Sequence, residues 1–167
     1  MAEIRTQLTL FLDERDSAGI EKLREELNPA QSRLIKAHVT LCREHELTDL
    51  DRVRHNLRTR ELCSIALDLG RPERFSQGKG VRLPAVGDTR AFHDLRRAVL
   101  FSALPQLGTL EPHLTLMHPR SSTCTDALFE AIENTALPHR LTFRRISLIE
   151  QIDGSPWEIL DAFQLSD

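Results

Sequence analysis

Two four-residue stretches hold the side chains of this 167-residue chain best suited to chemistry: His38-Val39-Thr40-Leu41 and His113-Leu114-Thr115-Leu116. Residues i and i+2 of a strand share a face. His38 and Thr40 therefore point one way and Val39 and Leu41 the other, and His113 and Thr115 separate from Leu114 and Leu116 in the same manner. The apolar face can pack under helices. The His/Thr face must meet water, a partner group or a ligand, because burying four unpaired polar side chains is costly. With seven histidines and twelve threonines in the chain, a bare His-x-Thr is expected about 0.5 times by chance, and requiring an apolar middle residue and a following Leu lowers this to about 0.03. The pattern occurs twice.

Such a pair suits in-line hydrolysis of a phosphodiester. A base takes the proton of water on one side of phosphorus, and an acid protonates the departing oxygen on the other. Two imidazoles with pKa near ~6.5 can share these tasks around neutral pH. The threonine hydroxyls can donate to the non-bridging oxygens, where charge is concentrated. A 2′,3′-cyclic phosphate is already strained, so acid–base help and positioning suffice for it without a metal ion. For a reaction that leaves a 2′-phosphate, His113 is expected as base and His38 as acid; the near symmetry of the motifs leaves the exchanged roles open.

The elements that must position these residues follow from periodicity. Residues 4–12 alternate as a strand, with Leu8, Leu10 and Leu12 on one face and Gln7, Thr9 and Phe11 on the other. Asp16 or Ser17 can cap a helix to Leu27, closed by Asn28-Pro29. Strands are expected at 37–42 and 63–69 around a helix at 48–60, and 71–80 reads as a loop. The order then repeats: strand 81–86, helix 89–104, strand 113–117, helix 123–135 and a long strand 140–151. Asp153-Gly154 turns the chain into a last strand at 157–165. A shift of 75 residues lays His38 on His113, Thr40 on Thr115 and Leu41 on Leu116. The expected fold is thus α+β, a pseudo-symmetric duplication of a β-α-β-α-β unit. Residues 1–167 would form one domain of two intertwined lobes, with repeat units at 3–70 and 80–150. Largely antiparallel sheets would face a central cleft, with helices outside.

The paired motifs resemble the two signatures of the 2H phosphoesterase superfamily, which includes the 2′-5′ RNA ligase-like RNA 2′,3′-cyclic phosphodiesterases, and the resemblance extends over essentially the whole chain. It implies two lobes whose motif strands face one cleft, His38 and His113 as the catalytic pair, Thr40 and Thr115 on the phosphate, and no metal or other cofactor. The chain departs from the better-known RNA phosphodiesterases in having Met117 where they carry a basic residue close behind the second motif. Cys42-Arg43-Glu44-His45 also differs from their usual continuation of the first motif.

Other residues are read against plainer roles. Arg120, just past Pro119, is free to curl toward the cleft and bind phosphate. Arg43 and His118, five residues after each motif histidine, fall on the far face if the strands stay regular; His118 is kept as a candidate nucleotide contact because Pro119 ends its strand. Cys42 continues the His38/Thr40 face and would border the cleft. Phe75 and Lys79 are candidate nucleotide contacts in a loop rich in bases and glycine, against the plainer reading of a solvated loop with Phe75 tucked inward. Trp157, Ile159 and Phe163 read as core.

Composition sets the limits. Apolar residues make up 40% and charged residues 28%, an ordinary globular balance. Three cysteines without a Cys-x-x-Cys argue against a disulfide framework or a thiolate zinc site. A net charge of −3 gives no broad basic field for long DNA. The expectation is a cytoplasmic monomer with no membrane partner, acting on a nucleotide or RNA terminus that carries a cyclic phosphate. A 2′-5′-linked oligonucleotide, an ADP-ribose cyclic phosphate and a ligase direction stay open. The rivals are a nucleotide- or RNA-binding module of the same fold without turnover, and a metal hydrolase. The latter is disfavoured because each motif strand offers one nitrogen ligand and no carboxylate at ligand spacing.

Overall fold

Alternation in the first segment becomes strand β1 (Ile4–Phe11), whose Leu8 and Leu10 are fully buried. The computed structural model describes all of residues 1–167. After β1 come α1 (Glu14–Leu27), α2 (Pro29–Leu34), β2 (His38–Cys42), α3 (Leu50–Thr59), β3 (Ile65–Leu69), β4 (Glu73–Phe75) and β5 (Gly80–Val86). The second half adds α4 (Arg90–Val99), β6 (His113–Met117), α5 (Asp126–Glu133), β7 (Arg140–Phe143), β8 (Arg145–Ile152) and β9 (Glu158–Gln164). The fold is α+β. No helix is long and apolar enough to cross a membrane.

The strands form one sheet in the order β7-β3-β5-β6-β2-β1-β8-β9, with β4 beside β5. Read outward from the central β6–β2 contact, the order is symmetric. β1 flanks β2 as β5 flanks β6, and beyond them β8 flanks β1 as β3 flanks β5. The two halves thus exchange their third strands. Arg144 alone separates β7 from β8, yet they stand toward opposite ends of the order, so the sheet must curl until its ends approach. Ser166, beyond β9, donates its amide to the Leu62 carbonyl and accepts from the Ser64 amide just ahead of β3.

The apolar face of the motif strands is covered by helices. Phe92, Leu95 and Val99 of α4 and Val53 and Leu57 of α3 are buried in a single core with Val39, Leu41, Leu114 and Leu116. The guanidinium of Arg96 is buried there too, donating to the Leu41 carbonyl at 2.6 Å and to Glu46 at 2.7 and 3.1 Å. It ties α4 to the backbone of the first motif strand.

Several local expectations are corrected. Asp13 rather than Asp16 or Ser17 caps α1, its carboxylate accepting the Asp16 amide. Pro29 follows the end of α1 but also opens α2, where its missing N–H costs nothing. The supposed loop at 71–80 is the β4–β5 hairpin, closed through Ser76, Gln77 and Gly78 at positive φ. The long strand at 140–151 breaks at Arg144. Asp153 and Gly154 (φ 50° and 73°) make the turn into β9. Only Phe163 of the three residues read as core at the end of the chain is buried: β9 is an edge strand, Ile159 is 60% exposed, and Trp157 is half-buried.

Candidate active site

β2 and β6 lie side by side and antiparallel, with Val39 opposite Leu114. That register sets His38 across from Thr115 and Thr40 across from His113. The two histidines are then diagonal neighbours, about 7–8 Å apart at the backbone, on one face of the sheet. All four side chains line one cleft of about 200 Å³. The motif histidines therefore face a common space rather than separate interiors.

Both imidazoles are held alike. Nδ1 of His38 lies 2.8 Å from the Lys36 carbonyl, and Nδ1 of His113 lies 2.8 Å from the Glu111 carbonyl. A carbonyl oxygen only accepts, so Nδ1 carries the proton in each ring and Nε2 is left for the cleft. Burial pushes the His38 pKa down to about 4, helped by the positive charge of Arg24 and of the other cleft histidines and opposed by the bond to Lys36. Burial also lowers His113, with Arg82 acting in the same direction and the bond to Glu111 against it.

Thr40 is oriented by Gln7, whose amide Nε2 donates to Thr40 Oγ1 at 3.0 Å and to the buried Thr9 Oγ1 at 2.6 Å. With its oxygen accepting, the Thr40 hydroxyl keeps its own proton to donate. Arg24 and Glu21 of α1 hold the backbone leading into β2. Arg24 donates to the Ile35 carbonyl at 2.9 Å, and the Glu21 carboxylate accepts the Ala37 amide.

A bulge at the same place in each motif strand decides which way the next side chains face. On β2, Thr9 pairs with Thr40 and Leu8 with Cys42, so Leu41 is the extra residue; on β6, Arg82 pairs with Thr115 and Val81 with Met117, so Leu116 is. Each bulge reverses the alternation. Cys42 and Met117 consequently turn into the core, and His118 comes to the cleft face despite its odd offset. Cys42 does not border the cleft, and burial pushes its thiol far up. Arg43, at the point equivalent to His118, turns away to Glu46 and the Thr109 carbonyl.

His118 differs from the motif pair. Its Nδ1 accepts the Arg120 amide at 3.1 Å, so Nε2 carries the proton, and burial beside Arg120 and Arg5 lowers its pKa. Asn28 anchors this segment by accepting the His118 amide and donating to Ser121. Arg120 lines the cleft. Phe75 and Lys79 are not brought there: Phe75 packs against Gly80 and under the Arg82 guanidinium, 5.4 Å from its ring, and Lys79 is exposed on the hairpin.

The sequence reading missed Arg5, Gln7, Arg24, Gln151 and Trp157, all of which line the cleft. Arg5 lies over the Trp157 ring at 5.4 Å. The alternation of β1 already separated Gln7 from the leucines; the pairing of β1 with β2 was needed to show that its polar side is the histidine side. The cleft wall holds three arginines and three histidines and no carboxylate; Arg5 is paired with Glu44 and Arg24 with Glu21 just outside it, which leaves Arg120 as the arginine without an ion pair. No three His, Cys, Asp or Glu side chains are grouped so as to hold a metal ion. A wider groove of about 790 Å³ shares Leu34, Ile35 and Trp157 with the cleft and runs along the His38 flank past Phe11, Lys36 and Ala37.

Residues 12–155 match the family model of the 2′-5′ RNA ligase superfamily, a family of 2H phosphoesterases. The chain belongs to this family. Among solved structures, Escherichia coli LigT complexed with 3′-AMP is similar over 98% of both chains, with TM-score 0.67 and 15% identity. A crystal structure described as a phosphoesterase matches over 99% of this chain and all of the other, with TM-score 0.66 and 13% identity. The protein TT0787 of Thermus thermophilus is similar over 96% and 97% of the two chains, with TM-score 0.55 and 16% identity. These likenesses establish a shared curled antiparallel fold. No curated protein matches the sequence.

Proposed function

We propose that the protein hydrolyses the 2′,3′-cyclic phosphate of a nucleotide or RNA end to a 2′-phosphate by two-histidine acid–base catalysis, independently of metal. The observation that carries this reading is the matched pair of imidazoles. Both have Nδ1–H committed to a backbone carbonyl and Nε2 left for one carboxylate-free cleft. Membership of a phosphoesterase family supports it, as does the 3′-AMP bound by the structurally similar LigT.

In this reaction the phosphate sits between the rings, its non-bridging oxygens accepting from Thr40, Thr115 and Arg120. His113 Nε2 takes a proton from water as the water oxygen bonds to phosphorus. The P–O3′ bond breaks on the opposite side, and His38 Nε2 delivers its proton to O3′, leaving a 2′-phosphate and a 3′-hydroxyl. The wide groove on the His38 flank supports this allocation, because the nucleoside that carries the departing oxygen needs room there.

The test is turnover of adenosine 2′,3′-cyclic phosphate in excess chelator, with the product identified by phosphorus NMR. The 2′-phosphate should accumulate, and His38→Ala and His113→Ala should each lower kcat by about 10²–10⁴-fold with unchanged far-UV circular dichroism. A folded protein without turnover would instead support a binding module of the same fold.

A further inference from the structure

We propose that Glu21 is a positioning residue for His38, acting through the Lys36–Ala37 peptide, and that it makes the two motif imidazoles unequal although their own strands are alike. The effect on turnover rests on the reaction proposed above; the effect on the ring stands apart from it.

The Lys36 carbonyl that accepts from His38 Nδ1 belongs to the same peptide bond as the Ala37 N–H, and that N–H is donated to the Glu21 carboxylate. In a trans peptide the two groups point to opposite sides, so the carboxylate stands behind the peptide and the imidazole in front of it. The other Glu21 oxygen accepts from Arg24 Nη1 at 3.0 Å, and Arg24 Nη2 donates to the Ile35 carbonyl at 2.9 Å. Two side chains one turn apart on α1 thus grip the chain on either side of Lys36. Arg24 and Ala37 are buried, so turning the peptide would strand polar groups away from water. A carboxylate accepting from an amide makes a charge-assisted bond, and hydrogen bonds in series polarise one another. Electron density shifts toward the Lys36 oxygen, which becomes the stronger acceptor for Nδ1–H. The ring is held in one tautomer, and its protonated form is favoured, as when a carboxylate meets an imidazole directly.

The second motif lacks this support. The shift of 75 residues lays Ala37 on Pro112, which has no N–H. The Glu111 carbonyl meets His113 Nδ1 at the same 2.8 Å, but no carboxylate can bind behind its peptide. Glu21 falls on Arg96 in that shift, and Arg96 is turned to Leu41 and Glu46. His113 therefore rests on a backbone stiffened by proline, and His38 on one held by an ion pair. The charges near His38 give the effect its sign. Burial lowers the His38 pKa, and the charges of Arg24 on α1 and of His113 and His118 add to it. Arg5 and Arg120 line the same cleft. Glu21 is the carboxylate set against Arg24, and it keeps His38 able to take up the proton that the general acid must give.

Imidazole proton–nitrogen NMR spectra test this without requiring turnover, with the His38 signals assigned from the spectrum of His38→Gln. Glu21→Gln keeps an oxygen for the Ala37 amide and removes the charge. At neutral pH the His38 Nδ1–H proton should then move upfield while that of His113 stays in place. In the same variant kcat on adenosine 2′,3′-cyclic phosphate should fall about 2- to 10-fold, the worth of one hydrogen bond. Arg24→Met leaves the carboxylate unopposed and should raise the His38 pKa by about one unit, again with His113 unmoved. A His38 signal that Glu21→Gln leaves in place, or equal movement of both histidines, overturns the inference whether or not the cyclic phosphate is hydrolysed. Movement of His38 alone, in a protein that hydrolyses nothing, supports the positioning role and overturns the reaction.

Discussion

The Gln7–Thr40 pair offers a decisive test of how the first motif presents a donor. Gln7 Nε2 lies 3.0 Å from Thr40 Oγ1 and 2.6 Å from Thr9 Oγ1, so the Thr40 oxygen is occupied as an acceptor and its proton is turned to the cleft. On the proposed reaction Thr40→Val removes a hydrogen bond to a charged phosphate, about 1.5–3 kcal/mol, which is about a 10- to 150-fold fall in kcat/KM. Gln7→Leu leaves the hydroxyl in place and removes only its orientation, a neutral hydrogen bond of about 0.5–1.5 kcal/mol, or about 2- to 10-fold. The double variant should be no worse than Thr40→Val alone, because Gln7 acts through that hydroxyl. Thr115→Val provides the control: Gln7→Leu should cost as much in that background as in the wild type. The assay is kcat/KM on adenosine 2′,3′-cyclic phosphate, with thermal melts to separate the loss of the buried Thr9 partner. Full additivity of Gln7→Leu with Thr40→Val would refute the positioning role.

Two further outcomes follow from burial. With His38 pushed down to about 4 and His113 also lowered, the singly protonated pair is most populated on the acid side of the ordinary imidazole value. The kcat/KM–pH profile should be a bell with its maximum below pH ~6.5, falling toward pH ~4 as both rings charge and toward neutrality as both lose their protons; a maximum at about pH 8 would contradict it. Arg96→Met leaves the buried Glu46 carboxylate to Arg43 alone and should destabilise the fold by up to about 3–5 kcal/mol, read by urea denaturation. Burial pushes the Glu46 carboxyl up, but hydrogen bonds from Arg96 and Arg43 outweigh it and hold the pKa at about 2. The stability this contributes is present above the ordinary carboxylate range and disappears as pH falls through about 2, a dependence that Arg96→Met should weaken, with Arg43 retaining part of it.

The motif strands were legible because strand alternation is a local property: apolar and polar residues sort to two faces whatever the rest of the chain does. Strand β6 begins and ends where the pattern of 113–117 puts it, and the family resemblance drawn from the two motifs holds. What was not legible depends on pairing. Nothing in Leu41-Cys42 or Leu116-Met117 announces a bulge, since two adjacent apolar residues fit a buried strand as well as a reversal of faces. The bulges nonetheless put His118 in the cleft and Cys42 in the core. Arg5, Gln7 and Gln151 were invisible for the same reason, their meaning resting on β1 lying between β2 and β8. Trp157 was misread because large aromatics are usually core, whereas here an edge strand leaves one beside the cleft.

By itself the cleft is arranged against the state its proposed reaction requires. Three arginines and a third histidine surround two imidazoles that burial already keeps neutral, so neither ring readily holds the proton a general acid must give. A phosphate diester entering the same space reverses that balance. On the proposed reaction its negative charge lies between the rings and favours the imidazolium form, while Arg120, the one cleft arginine without an ion pair, keeps the anion bound. The acid is therefore charged chiefly when substrate is present, and the pH optimum of kcat should lie alkaline of that of kcat/KM. If the two profiles coincide, the bound phosphate does not sit against His38 and His113, and the pair is not the proton-transfer couple.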